Sequence, residues 1–354
     1  RAANSTNVYI KRKGKGDYKF YESEDEINEL AETVARQMNR ILSTFTNFDL
    51  IICHELVRER SKRKWRFLLY PDYKKKRNAY SKTFMYFEGI WEAGRIALDN
   101  ILKDNEKLNE PRNIRVYGHP ELEGDELIAK LAFDLNPEDA MTIVSGDRDF
   151  IQLIRENVFL LSPVNKVIYS SLSENETYEV LSAFTSNVSA EDKLRKANTT
   201  NVDDWFGDTI VLVKNKLSSI SDPMTILIDN VKHNGYNVEG NVDSEKSLFV
   251  KVVSGDKSDY IHSVTSDIFG ASNSKNIGPK RAEALSYVLE NDLSDVDKVV
   301  NVITSSLGIS EDHLEYKSII KDKIIINKKL IDLKYCMDLP IVKDALESID
   351  CKLY

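Results

Sequence analysis

The chain of 354 residues is 42% hydrophobic and 30% charged, which is ordinary globular usage and enough for one large or two moderate domains. No apolar run reaches the roughly 18 to 20 residues of a membrane span and no signal-peptide pattern is visible, so no membrane partner is expected. The net charge of −8 argues against a nucleic-acid partner in aggregate, but between Arg58 and Lys82 eleven basic residues stand against two acidic ones.

That island comprises Arg58, Arg60, Lys62, Arg63, Lys64, Arg66, Lys74, Lys75, Lys76, Arg77 and Lys82. Taken alone, it reads as a solvated charged face as readily as a binding stripe. Cys53, Cys336 and Cys351 are odd in number and lack CxxC spacing, which argues for reduced packing thiols and against structural zinc. A cytoplasmic setting is expected, which for a phage-encoded chain means the host cytoplasm or a replication compartment.

Residues 8 to 21 place β-formers around a Lys-Gly-Lys-Gly turn and predict a hairpin or an extended loop. From Ser23 to Phe45 the apolar positions Ile27, Leu30, Val34, Met38, Ile41, Leu42 and Phe45 follow one helical face. Asp49 to Cys53 is a short apolar run suited to a buried strand. A helix at 79 to 103, a strand at Ile114 to Tyr117, a helix from Glu123 to Leu135 and a strand at Met141 to Ser145 follow. A short helix around Phe150 to Arg155 precedes a strand at Val158 to Leu161. Strands alternating with helices predict an α/β fold with a parallel sheet covered on both faces. Residues 171 to 247, rich in Ser, Asn and Thr, read as an insertion of unknown role, with possible elements at Thr209 to Leu217 and Met224 to Val231. From Leu248 the pattern is helical, with loops at Gly255 and Gly278 and a last helix around Lys343.

Acidic residues collect where an open parallel sheet binds ligands, at the carboxyl ends of its strands. The Met141 strand runs into Gly146-Asp147-Arg148-Asp149-Phe150, Glu55 follows the Leu-Ile-Ile-Cys run, and Glu121, Glu123, Asp125 and Glu126 open a helix. Any one of these acids is more simply a helix cap or a solvated side chain. Their coincidence at successive strand ends points instead to an all-oxygen site for Mg2+ or Mn2+, because crowded carboxylates need a neutralising cation. Two such ions can activate water and hold a scissile phosphate, which is phosphodiester hydrolysis. A second acidic group, Gly255-Asp256-Lys257-Ser258-Asp259, could alone be an ordinary Asx turn.

Taken together, Glu123-Gly124-Asp125-Glu126, Ser145-Gly146-Asp147-Arg148-Asp149-Phe150, Gly255-Asp256-Lys257-Ser258-Asp259-Tyr260 and Asn276-Ile277-Gly278-Pro279-Lys280-Arg281-Ala282 resemble the flap-endonuclease and 5′→3′ exonuclease family, in particular its bacteriophage ribonuclease H branch. Pro71-Asp72-Tyr73-Lys74 with Arg77 resembles a further family segment, and the likeness extends to Asn327 through Leu333.

The resemblance implies a PIN-like nuclease core at 1–170, with a basic arch at about 58–95, and a helix–three-turn–helix duplex-binding region at 248–354. It implies a structure-selective 5′ nuclease, a 5′→3′ exonuclease or flap endonuclease that removes RNA primers and acts on DNA or RNA–DNA hybrids bearing a 5′ end or flap. Single-strand-binding protein, clamp or polymerase would be its replication partners. Glu55, Glu123, Asp125, Glu126, Asp147, Asp149, Asp256 and Asp259 would hold or orient two Mg2+ or Mn2+ ions, with Glu123, Asp125 and Asp147 central to catalysis. Lys74 and Arg77 would contact the scissile phosphate. Tyr73 would stack on a terminal base, or else pack at the core edge, while Lys75 and Lys76 draw the strand over the site. Gly278, Lys280 and Arg281 would grip duplex phosphates, with K+ in that loop.

The family's first catalytic aspartate sits on an N-terminal strand, and Arg1 resembles the basic residue trailing it, so that strand is expected upstream. Glu55, Glu126, Gly124 and Tyr260 depart from the family's Asp, Asp, Ala and Asn. A catalytically impaired nucleic-acid-binding relative is the alternative reading. A PIN-like RNA endonuclease shares the sheet and the acids but needs neither the arch nor the Gly278 turn.

Overall fold

The computed structural model describes residues 50–55, 64–74, 87–106, 114–119, 121–185, 235–270, 273–310, 312–347 and 352–353, with isolated helical positions between Asp25 and Arg36. The expected hairpin at 8–21, Lys75, Lys76, Arg77 and most of the arch, and the possible elements at 209–217 and 224–231 lie outside the described residues.

Strand β1 (Leu50–Glu55) pairs in parallel with β2 (Ile114–His119), in register from Leu50 against Ile114 to Glu55 against His119. Parallel neighbours need a crossover, and between them run α1 (Lys64–Leu69) and α2 (Phe87–Glu106). A second sheet orders β3 (Met141–Val144), β4 (Val158–Ser162), β5 (Val167–Tyr169) and β6 (Asn237–Glu239). Its β3–β4 and β5–β6 pairs are parallel, while β4 and β5 form an antiparallel hairpin. All of β4 is buried, which is why its sequence is an unbroken apolar run and not an alternation. Helix α3 (Gly124–Phe133) and a 3₁₀ helix (Arg148–Leu153) cover this sheet through Ala129, Ala132, Phe150 and Leu153 against Ile143, Val158 and Leu160. The core is thus α/β with parallel pairing, as the alternating pattern predicts, and the hairpin strand β5 is an addition.

Both ends of the 171–247 stretch are built onto the sheet. Helix α4 (Glu174–Thr185) packs Tyr178 and Leu181 on Phe159, Leu161 and Ile168, and β6 extends the sheet edge.

The C-terminal part is helical: α5 (Ser244–Ser254), α6 (Ser266–Phe269), α7 (Pro279–Val288), α8 (Val296–Ser306), α9 (Leu314–Ile331), α10 (Leu333–Met337) and α11 (Pro340–Glu347). β7 (Lys352–Leu353) returns to pair antiparallel with β2. Phe249, Val252, Val253, Val299, Ile303, Ile320 and Ile324 form its core, which also takes in Tyr73. Trp65 instead joins Leu122, Leu127, Cys336, Val342 and Ala345. The segment 64–74 therefore spans the junction between sheet and helical parts, and the acids meet at that junction. Among the described residues no helix is long and apolar enough to cross a membrane.

Candidate active site

Four segments converge. Glu123 is the N-cap of α3, and Glu126, at its third position, turns back to accept the Glu123 backbone N–H, closing a capping box. A glutamate has the length this return needs, which explains why Glu126 stands where the family has aspartate. Asp147 caps the 3₁₀ helix after β3 by accepting the Asp149 N–H at 3.0 Å, and its own N–H goes to Ser145 Oγ at 3.0 Å. Asp256 and Asp259 lie on the loop after α5. That loop starts at Gly255, where φ is +77° and a Cβ would fall 2.4 Å from the Ile261 carbonyl, so only glycine fits. Asn327 of α9 pins both arms of the loop, donating to the Val252 and His262 carbonyls at 2.9 Å each.

The fourth segment supplies cations. Arg66 Nη1 lies 3.0 Å from Glu123 Oε2 and 2.8 Å from Glu126 Oε1, the latter a charge contact without hydrogen-bond alignment. Lys74 Nζ lies 2.5 Å from Glu123 Oε2 and 3.8 Å from Asp259 Oδ2. Tyr73 donates between the same two acids, with Asp259 Oδ2 at 3.0 Å and Glu123 Oε2 at 3.3 Å. Lys74 sits in the left-handed region at φ +56°, held there by its N–H to the Asp259 carbonyl at 2.7 Å. The other acids meet a different cation: Lys251 of α5 lies 2.9 Å from Asp256 Oδ2 and contacts Asp149 Oδ1.

Burial and charge set the ionisation. Burial pushes the Glu126 carboxyl up to about 7, with repulsion from Glu123 and Asp125 adding and Arg66 opposing. Asp149 also rises to about 7, through burial first, against the attraction of Lys251 and with repulsion from Asp147 and Asp256. For Asp256, burial is outweighed by Lys251 and the Ser258 hydrogen bonds, so its carboxyl falls below its ordinary value. Arg66 and Lys251 are both raised, their acidic neighbours outweighing burial. The Tyr73 hydroxyl is pushed well above its ordinary value by burial and by Glu123.

The expected site residues thus fall into two clusters. Glu123, Glu126 and Asp259 meet around Arg66, Lys74 and Tyr73, with the charge of Asp125 close enough to act on Tyr73 and Glu126. Asp149 and Asp256 meet at Lys251, with Asp147 beside Asp149. Glu55 ends β1 opposite His119, and the structure describes only its backbone. Two expectations are corrected. Of the two readings of Tyr73, the base-stacking one gives way to the core-edge one: the ring is buried edge-on against Phe67, and the hydroxyl reaches the acids. Arg66, counted in the basic island, is 4% exposed and lies inside the protein, as does Lys74 at 5%.

The donor chemistry fits a hard divalent cation. Every candidate ligand is a carboxylate, and the Asp149–Asp256 pair already holds a cation between its oxygens. Among the described residues no three His, Cys, Asp or Glu are arranged so that they could hold a metal ion, and Arg66, Lys74 and Lys251 stand among the acids.

Lys280 and Arg281 are exposed at the start of α7, whose N-cap is Gly278. Gly278 has φ −89°, and an added Cβ would meet nothing within 4 Å, so nothing inside the described protein demands glycine there. The turn is set from within by buried Ile277, whose N–H goes to Thr265 Oγ1 at 3.1 Å.

Sequence reasoning missed Arg66 as a site residue, and Lys251 and Gln152 altogether. Gln152 donates to the Asp149 and Ile331 carbonyls at 2.8 and 3.1 Å and accepts from Leu333 N–H, tying the Asp149 turn to the α9–α10 junction. Arg66 did carry a signal, since a charge inside Trp-Arg-Phe-Leu-Leu is a charge inside an apolar helix and needs a buried partner.

Residues 17–182, which carry all of these segments except the loop at Asp256 and Asp259, match the 5′–3′ exonuclease N-terminal resolvase-like domain. The chain therefore carries a 5′–3′ exonuclease N-terminal resolvase-like domain over these residues. No curated protein sequence matches it significantly. Among solved structures it is similar to the bacteriophage T5 protein co-crystallised with metal ions, at 17% identity over 90% of this chain and 89% of that one, with a TM-score of 0.49. It is also similar to the T5 flap endonuclease in a complex with DNA and metal ions, at 17% identity over 97% and 93%, with a TM-score of 0.48. A zinc-bound T5 5′-exonuclease matches at 18% identity over 90% of each chain, with a TM-score of 0.46. The exonuclease domain contains Arg66, Lys74, Glu123, Glu126, Asp147 and Asp149, while Lys251, Asp256 and Asp259 reach it from the helical part.

Proposed function

We propose that this 5′ nuclease hydrolyses phosphodiester bonds in DNA or RNA–DNA hybrids that carry a 5′ end or flap, including RNA primers, with two Mg2+ or Mn2+ ions held by Asp125, Asp147, Asp149, Asp256 and Asp259. The observation that carries the reading is the convergence of acids from three separated segments beside an exonuclease domain's buried lysine. Divalent ions bound there would supply an activated water and stabilise charge on the leaving oxygen. The chain's own groups do the positioning. Glu123 and Glu126, committed to Arg66 and the α3 cap, brace the first turn that presents Asp125. The Lys74 ammonium, held in place by Glu123 and Asp259, would present its positive charge to phosphate oxygens that enter beside those acids. Exposed Lys280 and Arg281, with the open approach above the Gly278 backbone, suit a duplex phosphate at the N-terminus of α7.

The protein should cleave a 5′-labelled flap and an RNA-primed duplex only when Mg2+ or Mn2+ is present. Asp147→Asn with Asp149→Asn should abolish cleavage and leave substrate binding largely intact; retained cleavage overturns the metal assignment. The cations already lodged among the carboxylates favour a second reading, a non-catalytic nucleic-acid-binding relative. Flap binding without cleavage under every divalent ion tried would establish that reading instead.

A further inference from the structure

Asp149 and Asp256 come from different parts of the chain, the turn after β3 and the loop after α5, and a single ammonium group joins them. Lys251 Nζ lies 2.9 Å from Asp256 Oδ2 and contacts Asp149 Oδ1. The lysine is firmly based, since its neighbours Phe249, Val252 and Val253 on α5 are fully buried. Its side chain is 26% exposed and that of Asp149 28%, with Asp256 deeper at 9%, whereas Lys74 and Glu123 are exposed by only 6% and 5%. An ammonium on a flexible four-carbon stem at a wet edge can swing out and regain its hydration. One sealed inside cannot do so without a desolvation penalty for the carboxylates left behind.

We propose that Lys251 is a positioning residue, the resident cation of the Asp149–Asp256 pair: it holds the two carboxylates together until a divalent ion enters between them, and is displaced by that ion. This rests on the metal-dependent reading above. Lysine and metal then compete for the same oxygens, so removing the ammonium strengthens metal binding. A lysine that merely supports the loop would have the reverse effect, its removal weakening the site.

The test is calorimetric titration of the full chain with Mn2+, comparing wild type with Lys251→Met. Release from one partly exposed ion pair should tighten one class of sites roughly two- to fivefold. Combining Lys251→Met with Asp149→Asn should erase that gain. Unchanged or weaker Mn2+ binding by a folded Lys251→Met chain overturns the proposal. Should melting in EDTA show that variant unfolded, Lys251→Gln is titrated instead, with the same two outcomes. If wild type binds no Mn2+ at all, the metal reading itself fails, which is distinct from equal binding by both chains.

Discussion

The two halves of the acidic site solve one electrostatic problem in opposite settings. Around Glu123 and Glu126, side chains exposed by 5% and 0%, the neutralising cations are Arg66 and Lys74, exposed by 4% and 6%. Around Asp149 and Asp256 the cation is Lys251, a quarter exposed. Arginine is the choice where the pair is sealed, because its weakly hydrated planar group can face two carboxylates and stack on a ring. Arg66 does so, with its guanidinium carbon 4.7 Å from the Trp65 centroid. Burial therefore decides which cation is part of the fold and which can exchange.

The largest expected break in this contrast is Arg66→Met. It leaves Glu126 buried beside Glu123 with its cation gone, and stripping one partner from a buried pair costs about 3–5 kcal/mol. Urea unfolding should show that loss, and adding Glu126→Gln should recover part of it, a coupling a double-mutant cycle measures. Lys251→Met in metal-free buffer should cost only about 1 kcal/mol or less, because Asp149 is partly solvated and Asp256 keeps its hydrogen bonds from the Ser258 N–H and hydroxyl. Equal losses at the two sites would erase the distinction between sealed and open halves.

A smaller effect comes from pH. The folded chain holds the Glu126 proton up to about 7, whereas an ordinary glutamate releases it near 4.5. Between those values the folded state binds more protons than the unfolded one, so this group's stabilisation is full below about 4.5 and is lost as pH rises towards 7. In EDTA, Glu126→Gln should flatten that decline in urea midpoint. Asp149, raised from 3.8 to about 7, slopes the same way, but its more exposed side chain is screened, so Asp149→Asn should flatten the decline less. An equal or greater effect at Asp149 would mean that its half is closed in solution.

Much of this was legible in the chain. The acids at 123–126 and 147–149 announced themselves by falling at a helix start and a strand end, those at 256–259 stood out only through the family resemblance, and the apolar runs gave β1 to β4 to within a residue or two. What the sequence could not disclose is who faces whom. Lys251 is one of many helical lysines, and only the packing of α5 against the 3₁₀ helix brings it to Asp149, 102 positions away. Arg66 was counted with its basic neighbours because charge runs read as solvent faces, yet Trp65 and Leu69 on either side turn its helix inward. The hairpin strand β5 has only three residues, too few to show a period.

The smallest effect concerns the loop that serves both halves, sending Asp259 to Lys74 and Asp256 to Lys251. It ends at Tyr260, which sits in the left-handed region at φ +62°. That region strains most L-residues by roughly 1–2 kcal/mol and is tolerated by asparagine, the residue the family has there. Tyrosine recovers part of that cost through its ring, edge-on to His262 at 4.6 Å, a contact worth roughly 0.5–1.5 kcal/mol. Tyr260→Asn should therefore raise the unfolding free energy by about 0.5 kcal/mol, read as a slightly higher urea midpoint with the slope unchanged. Because the loop's hold on both lysines runs through Asp256 and Asp259, Mn2+ affinity should stay at the wild-type value. A fall in midpoint would show that the ring contact outweighs the strain, and a shift in Mn2+ affinity would show that Tyr260 sets the spacing of the two halves.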